Sequence, residues 1–398
     1  MIASVVHDPP EGNTHSAQYE WGLYIHIPWC VKKCPYCDFN SHRSPDHIPE
    51  MRYVTALCLE MERAAHHFRN RRLGSVFLGG GTPSLFSPEA IERTLKQIRF
   101  SFWMAPDAEI TIEANPGTAE AERFTGYRAA GVTRLSLGIQ SFDDERLRAL
   151  GRIHTAEQAR AAYRMGRDAK FQAVNIDLMY GLPGQSIESA QNDIAEALDF
   201  APEHLSYYHL TLEEGTPFFH RPPVRPDDVT LTHIESNAYA HIAASRYERY
   251  EVSAYSQGIR NACRHNLGYW HYGDYLGIGA GAHSKFRKSD GRLWRQIRTR
   301  FPSSYLEAIE GERTGYEERR LERDEIRFEF FLNALRLREG FPPELYEQQT
   351  GESLAAVAGM LQKLADLGLL QVSNRNIRAT RRGYAILDDV VTFFLPPK

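Results

Sequence analysis

Three cysteines near the start of the chain have the spacing of ligands to a single inorganic centre. Cys30, Cys34 and Cys37 form the pattern CxxxCxxC in a loop that follows the apolar run 23–27. Thiolates so close in sequence converge without help from distant parts of the chain, and cysteine thiolates are the groups that hold a 4Fe-4S cluster. A structural zinc site takes four ligands, usually in two separated pairs. The pattern therefore favours a 4Fe-4S cluster with one open iron over a zinc site, a disulfide or buried free thiols.

A run of glycines follows the second apolar run of the chain. Gly79–Gly81 opens the motif GGGTP, and the lack of a Cβ at successive positions lets the backbone approach a ligand closely. The motif matches neither the dinucleotide fingerprint nor the phosphate loop, because no GxGxxG, GKS or GKT follows. By itself GGGTP fits a simple turn as well as a binding site.

Short β-rich runs alternate with amphipathic helical patterns along the first half of the chain. The β-rich runs lie at 23–27, 75–79, 109–113, 134–140, 173–179 and 204–211. A strand followed by a helix, repeated, predicts a parallel sheet with right-handed crossovers. The sequence therefore predicts an α/β fold.

Polar residues or glycines follow nearly every one of these predicted strands. They are the three cysteines, Gly79–Gly81, Glu113, Asn115, Gln140, Asp177, Tyr208 and His209. In barrels of βα units the chemistry collects at the carboxyl ends of the strands. We therefore expect these groups to meet at one mouth.

With CxxxCxxC and GGGTP in this order, the chain resembles the radical S-adenosylmethionine (SAM) superfamily. The resemblance implies an open (β/α)6 partial barrel, in agreement with the strand count, and a cluster whose open iron binds the amino and carboxylate groups of SAM. It also implies the residues that contact SAM. They are Tyr24, Tyr36, Gly80, Gly81, Thr82, Glu113, Gln140, Arg152 and Asp177.

The resemblance also implies a role for several of these residues. The glycine-rich strand end would bind the amino group of SAM, and the guanidinium fork of Arg152 suits its carboxylate. Asp177 offers acceptors for the ribose hydroxyls, and Tyr24 and Tyr36 would line the adenine side. Each residue alone would also fit a strand-end cap or a buried aromatic.

Composition restricts the class of protein. The chain has 398 residues, a formal net charge of −4 and five cysteines. The charge argues against general binding of nucleic acid, and an odd number of cysteines in a long chain argues against a secreted disulfide framework. No segment approaches about 18 consecutive apolar residues. We therefore expect a cytoplasmic protein.

We expect three regions. For residues 1–20 we expect a disordered tail without a signal peptide. Residues 21–311 predict the radical SAM core with an additional, less regular segment. The densely charged stretch that begins at 312 marks the start of a smaller, mostly helical domain, 312–398, which resembles a winged helix. Acidic residues balance its basic ones, so packing or partner docking is favoured over DNA reading.

The wider resemblance points to the branch that contains the oxygen-independent coproporphyrinogen III oxidases and the heme chaperones. The oxidases carry the motif CxxxCxxCxC, whereas Phe39 occupies the position of the fourth cysteine in this chain. They also carry a longer segment before the cluster loop. Both departures favour the heme chaperones.

A motif in the less regular segment points the same way. Residues 265–270 read HNxxYW, which is similar to a motif linked to heme binding in the heme chaperones. The imidazole of His265 can ligate heme iron, and the aromatic residues can cover the macrocycle. The alternative is a structural histidine in the core. Cys263 and His283 are weaker ligand candidates.

Three functions follow from this resemblance. The leading hypothesis is a heme chaperone that carries a 4Fe-4S cluster and SAM and passes heme to acceptor hemoproteins such as respiratory enzymes. The alternatives are oxidative decarboxylation of coproporphyrinogen III and methyl transfer, both by radical SAM chemistry. A homodimer and contact with the membrane face are implied by resemblance alone.

Overall fold

Parallel strands form the centre of the fold, as the sequence predicts. The structure, a computed structural model, describes residues 20–117 and 120–396, so almost all of the tail predicted at 1–20 lies outside it. The central strands pair in chain order, each parallel to the next. They are β1 (Trp21–Ile27), β2 (Leu73–Gly80), β3 (Met104–Ala114), β4 (Arg134–Gln140), β5 (Ala173–Tyr180) and β6 (His204–His209).

These strands form because they are apolar enough to be covered on both faces, which a parallel sheet requires. All seven residues of β4 are buried, and Leu135, Leu137 and Ile139 have no exposed surface. Helices alternate with the strands. They are α1 (Glu50–Ala64), α2 (Pro88–Ser101), α3 (Glu120–Ala130), α4 (Asp144–Ala149), α5 (Ala156–Asp168) and α6 (Ile187–Asp199).

Side-chain caps fix where several of these helices begin. Ser87 accepts a hydrogen bond from a backbone N–H of the first turn of α2, and Ser186 does the same for α6. Thr155 and Gln158 form a reciprocal capping box on α5. Such caps satisfy backbone donors that the helix itself leaves free. They end the loops that follow the strands, so they limit how far each loop extends over the barrel mouth.

Further strands extend the sheet at both edges, which the sequence analysis did not predict. Within the described residues, twelve strands form one sheet. The added strands are β7 (Glu248–Glu251), β8 (Ala254–Ser256), β9 (Tyr275–Ile278), β10 (His283–Arg287), β11 (Leu293–Arg298) and β12 (Tyr316–Arg320). β8 pairs antiparallel with β6, and β9 pairs parallel with β1. The added strands are short, and several are rich in charge, so they lack the long apolar runs of the central ones.

Helices complete the segment between the barrel and the C-terminal region. They are α7 (Pro217–His220), α8 (Asp228–Ala243), α9 (Arg264–Trp270) and α10 (Pro302–Glu310). Among the described residues, no helix combines the length and apolar content needed to span a bilayer.

The C-terminal region has its own core. It contains α11 (Arg323–Ala334), α12 (Pro343–Thr350), α13 (Ala358–Asp366), the hairpin of β13 (Leu370–Val372) and β14 (Ile377–Ala379), α14 (Arg381–Ala385) and α15 (Leu387–Thr392). Aromatic rings dominate this core, where Phe330 and Phe331 lie against Phe341 and Tyr346. Helices followed by a hairpin match the winged-helix-like layout predicted from the sequence.

The region boundary falls later in the structure than the predicted position at 312. Strand β12 follows that position and still pairs with β11 of the large sheet. From Leu321 onward the chain packs into the second core. The charged stretch therefore includes an edge strand, and the change of core comes after it.

A buried ion pair joins the barrel to its added strands. Glu60 of α1 accepts hydrogen bonds from Arg298 of β11 at 2.7 Å and from the Tyr305 hydroxyl at 2.6 Å. The side chains of Glu60 and Arg298 are 4% and 1% exposed. Arg298 also donates to Ser284 Oγ. Removal of one partner would leave an uncompensated charge in the interior.

We predict that Arg298→Met lowers the free energy of unfolding by about 3–5 kcal/mol, because the Glu60 carboxylate stays buried without its partner. Urea denaturation would measure the change. The control is Arg52→Met, which removes the surface pair with Glu310, whose side chains are 53% and 42% exposed. The control should change the free energy of unfolding far less, because solvent screens the exposed pair. Equal effects of the two substitutions would contradict the prediction.

Candidate functional site

The cysteine loop follows β1 at the carboxyl edge of the sheet. Its three cysteines are partly exposed, and none of the described cysteines forms a disulfide. The Cys37 N–H donates to the Cys34 carbonyl, which closes a tight turn between them. A short parallel ladder of 29–30 with 42–43 joins the two ends of the loop. The loop is therefore fixed at both ends while its sulfurs stay accessible.

Each cysteine sulfur lies near a polar side chain. Thr82 Oγ1 donates to Cys30 Sγ at 3.5 Å, and Arg152 Nη1 donates to Cys34 Sγ at 3.6 Å. The Ser41 hydroxyl lies 3.8 Å from Cys37 Sγ. Burial raises the pKa of the Cys30 thiol, which the bond from Thr82 partly offsets. These contacts stabilise thiolates, which are the form that binds metal.

The cysteine loop offers three thiolates, one fewer than the ligands of a structural zinc site. Among the described residues, no three histidine, cysteine or acidic side chains converge closely enough to hold one metal ion. Thiolates around one zinc ion lie within roughly 4 Å of one another, because each Zn–S bond is about 2.3 Å long. A 4Fe-4S cluster places its ligands on different irons. Three thiolates on one loop therefore suit the cluster.

One cavity joins the cysteines to the ends of the central strands, and we call it the cluster cavity. Its wall contains most of the side chains that the sequence analysis assigned to SAM. They are Tyr36, Gly80, Gly81, Glu113, Gln140, Arg152 and Asp177. The wall also contains Asn115, Ser136, Gly138 and Tyr208, which the sequence analysis did not assign to SAM. In the sequence, Asn115 and Tyr208 could be recognised only as polar residues at the ends of predicted strands.

Glycines are required where β2 meets the cysteine loop. Gly80 has a φ of 113°, and a Cβ there would lie 2.5 Å from the His26 ring. A Cβ at Gly81 would lie 2.5 Å from the Trp29 carbonyl oxygen. Any side chain would therefore push the cysteine loop away from the strand. The Gly80 N–H donates to Glu113 Oε2 at 3.1 Å.

Two buried carboxylates give the cluster cavity its electrostatic character. Burial, together with the charge of Asp177, raises the pKa of Glu113 to about 8. Burial also raises the pKa of Asp177, although hydrogen bonds from Asn175 and Ser136 lower it in part. A buried carboxylate with few donors is stabilised in its charged form by a nearby cation. The cavity is therefore prepared for a cationic ligand.

Arg152 lies between the cysteine loop and the ends of β3 and β4. Its Nη2 donates to Asn115 Oδ1 at 2.6 Å and to the Gly138 carbonyl at 2.7 Å, while Nη1 points to Cys34. Its buried Nε has no hydrogen-bond partner within the described part of the chain. The guanidinium is thus held in place by the strand ends and faces the sulfur of a cluster ligand.

The end of β4 carries a backbone conformation that is rare outside glycine. Gln140 has a φ of 71°, and its side-chain oxygen accepts a hydrogen bond from the Tyr208 hydroxyl at 2.8 Å. Non-glycine residues in this region of φ cluster at functional sites. The strained backbone turns the Gln140 side chain toward the cavity wall.

Two of the residues assigned to SAM lie beside the cluster cavity and do not line it. The Tyr24 hydroxyl is hydrogen-bonded to His26 Nδ1 at 2.9 Å, and the tyrosine faces a second cavity that shares Gly80 and Glu113. Thr82 contacts Cys30 through its hydroxyl group. The roles that the resemblance implies for these two residues stay predictions.

The histidine of HNxxYW is buried in the barrel. His265 Nδ1 is hydrogen-bonded to Ser75 Oγ at 3.1 Å and Nε2 to the Tyr269 hydroxyl at 3.0 Å. Its ring stacks on Phe77, and burial lowers its pKa to about 3. A bond from either nitrogen to iron would break a buried hydrogen bond. These contacts favour the structural alternative, and its role as a heme ligand stays a prediction. Cys263 is buried and donates to Glu109.

Comparisons with known proteins agree with the predicted fold. Residues 24–201 match the family model of the radical SAM superfamily, and residues 321–386 match the model of the HemN C-terminal domain. The solved structure of the coproporphyrinogen III oxidase HemN from Escherichia coli is similar, with a TM-score of 0.79 at 24% identity over 94% of this chain and 90% of that one. These matches confirm the predicted fold class.

Curated relatives cover nearly the whole chain. The heme chaperone HemW of Haemophilus influenzae is 43% identical over 94% of this chain and 97% of its own. HemW of Escherichia coli is 42% identical over the same shares. Identity at this level along almost the entire length of both proteins confirms the predicted branch, and the chain belongs to the HemW heme chaperone family of the radical SAM superfamily.

Proposed function

We propose that the protein binds heme and delivers it to acceptor hemoproteins, with a 4Fe-4S cluster and SAM held in the cluster cavity. The observation that carries this proposal is the 43% identity to a heme chaperone over 97% of that relative's length. Phe39 supports it, because an exposed apolar ring occupies the position of the fourth cysteine of the oxidases.

Cys30, Cys34 and Cys37 would hold the cluster, which supplies an open iron for the amino and carboxylate groups of SAM. The other residues then have separable tasks. Arg152 and Thr82 stabilise the thiolates through the hydrogen bonds that they donate. The glycines at the end of β2 allow close approach of the ligand, and the carboxylates of β3 and β5 attract its positive charge.

The finer assignments are also proposals. We assign the acceptors to hemoproteins such as respiratory enzymes and the location to the cytoplasm. A homodimer and peripheral contact with a membrane follow from the resemblance alone. Nucleic acid is a poor partner for a chain with a net charge of −4.

Oxidative decarboxylation of coproporphyrinogen III is the second candidate function. The observation that favours it is the shared fold with HemN over 94% of this chain. An anaerobic assay of the reconstituted protein with coproporphyrinogen III distinguishes the two functions. Formation of protoporphyrinogen would favour the oxidase, whereas a chaperone yields none.

The reconstituted protein should bind hemin saturably, at about one per chain. Anaerobic titration followed by the shift of the Soret band would measure the stoichiometry. Hemin added to buffer without protein would serve as the blank. Binding that rises linearly without saturation would contradict the heme chaperone assignment.

Replacement of Cys34 by serine should abolish the cluster. Iron content should fall from about four per chain to near zero, because two thiolates hold a cubane poorly. Elemental analysis and visible absorption after anaerobic reconstitution would show the loss. Cys58→Ser is the matched control, since Cys58 is buried in α1, away from the loop. Retention of the cluster in Cys34→Ser would refute the ligand assignment.

Replacement of Glu113 by glutamine should weaken SAM binding by roughly 10–100-fold, because a charge-assisted contact is lost. The pKa of Glu113 is about 8 without ligand, so the carboxyl is mostly protonated at pH 6.5. A cation favours the ionised form, so SAM binding should release a proton and tighten as pH rises toward 8.5. Calorimetry on the cluster-loaded protein would measure both effects. The ratio of wild-type to variant affinity should rise over this range; a constant ratio would exclude the role of Glu113.

A further inference from the structure

A second cavity lies beside the cluster cavity, and we call it the side cavity. Its free volume is about 470 Å³, within the range of small-molecule and cofactor sites. Its wall includes Tyr24, Phe39, Tyr269, Tyr275, His283 and Arg300. It lies between the cysteine loop and the turn that precedes β10. Gly80, Glu113 and Phe39 line both cavities.

Aromatic rings supply much of the apolar surface in the side cavity. Tyr269 and Tyr275 make an edge-to-face contact with centroids 4.7 Å apart. At the rim, Phe39 is 60% exposed and Ile297 is 37% exposed. Exposed apolar side chains at the mouth of a cavity mark sites for apolar ligands. A flat aromatic ligand has the shape and polarity that this wall accepts.

His283 is the imidazole that this cavity offers to a metal. It is exposed at the start of β10, and within the described residues its ring makes no hydrogen bond. Burial and three nearby arginines lower the pKa of His283, which favours the neutral imidazole that binds metal. His26 also lines the cavity, but its two nitrogens are bonded to the Tyr24 hydroxyl and the Asn40 carbonyl.

Arg300 is the cation that faces the side cavity. Neighbouring arginines are already paired, Arg295 with Glu329 and Arg298 with Glu60. In the described part of the chain, the Arg300 guanidinium forms no ion pair, although its carbonyl accepts a hydrogen bond from Asn40. A guanidinium pairs well with a carboxylate because the two present matching pairs of hydrogen-bond groups.

We propose that the side cavity is the heme-binding site, with His283 as the axial ligand of the iron and Arg300 paired with a propionate. This inference rests on the proposed function, since it locates the heme of the chaperone. It differs from the HNxxYW assignment, because His265 has both nitrogens engaged in the barrel. A free imidazole, an unpaired guanidinium and an aromatic wall around one cavity match the three parts of heme.

The test is hemin titration of the cluster-loaded full chain, followed by the Soret band. His283→Ala should weaken binding at least about tenfold and remove the signature of an imidazole ligand. Free imidazole should restore that signature by filling the vacated position. His233→Ala is the matched control, because His233 is exposed on α8. His265→Ala should keep the signature, and thermal melting would report any loss of folding.

A second arm tests the propionate contact. Arg300→Met should weaken hemin binding by about tenfold, whereas Arg300→Lys should recover part of the affinity. With the dimethyl ester of heme, wild type and Arg300→Met should bind equally, because the ester carries no carboxylate.

The outcomes separate the two levels of the proposal. If wild type binds hemin but His283→Ala binds it equally well with the same spectrum, the site assignment is overturned and the proposed function stands. Loss of the signature in His265→Ala alone, without unfolding, would instead assign the iron ligand to the HNxxYW motif. If wild type shows no saturable binding, the proposed function itself is overturned.

Discussion

The hydrogen-bond register of the parallel strands determines where the strand residues of the cluster cavity lie. Glu113 of β3 is paired with Ser136 of β4, and Asp177 of β5 is paired with Ser206 of β6. Neighbouring strands are about 4.8 Å apart, so each carboxylate lies beside its paired serine, and β4 separates the two carboxylates. A register shift of one residue would turn the carboxylates to the opposite face. The cysteine loop can meet them only because Ile27 is paired with Gly80.

The same geometry has an energetic cost that the ligand offsets. Glu113 and Asp177 are both buried at the strand ends, and burial raises the pKa of each. Without a further cation beside Arg152, the cavity holds acidic groups that cannot both ionise readily. A positively charged ligand removes that conflict. Selectivity for such a ligand is therefore built into the walls and does not depend on the cluster alone.

The sequence predicted the parts of the fold that follow from simple patterns. The six central strands, the cysteine loop and the glycine turn were predicted because strong apolar runs and short-range spacing encode them. The added strands were missed because runs such as Tyr316–Arg320 are almost wholly charged and gain their place by edge pairing. Spacing in the chain also could not show that Tyr24 faces the side cavity or that both nitrogens of His265 have partners. Those facts depend on contacts between residues far apart in sequence.

The Asn40 side chain connects the cysteine loop to the far wall of the side cavity. Its side-chain amide, three residues after Cys37, donates to the carbonyls of Ala280 and Arg300 across the barrel mouth. The cysteine loop is therefore also part of the wall of the side cavity. A displacement of that loop would move the Asn40 amide, so a change at the cysteines would be transmitted to the backbone at Ala280 and Arg300.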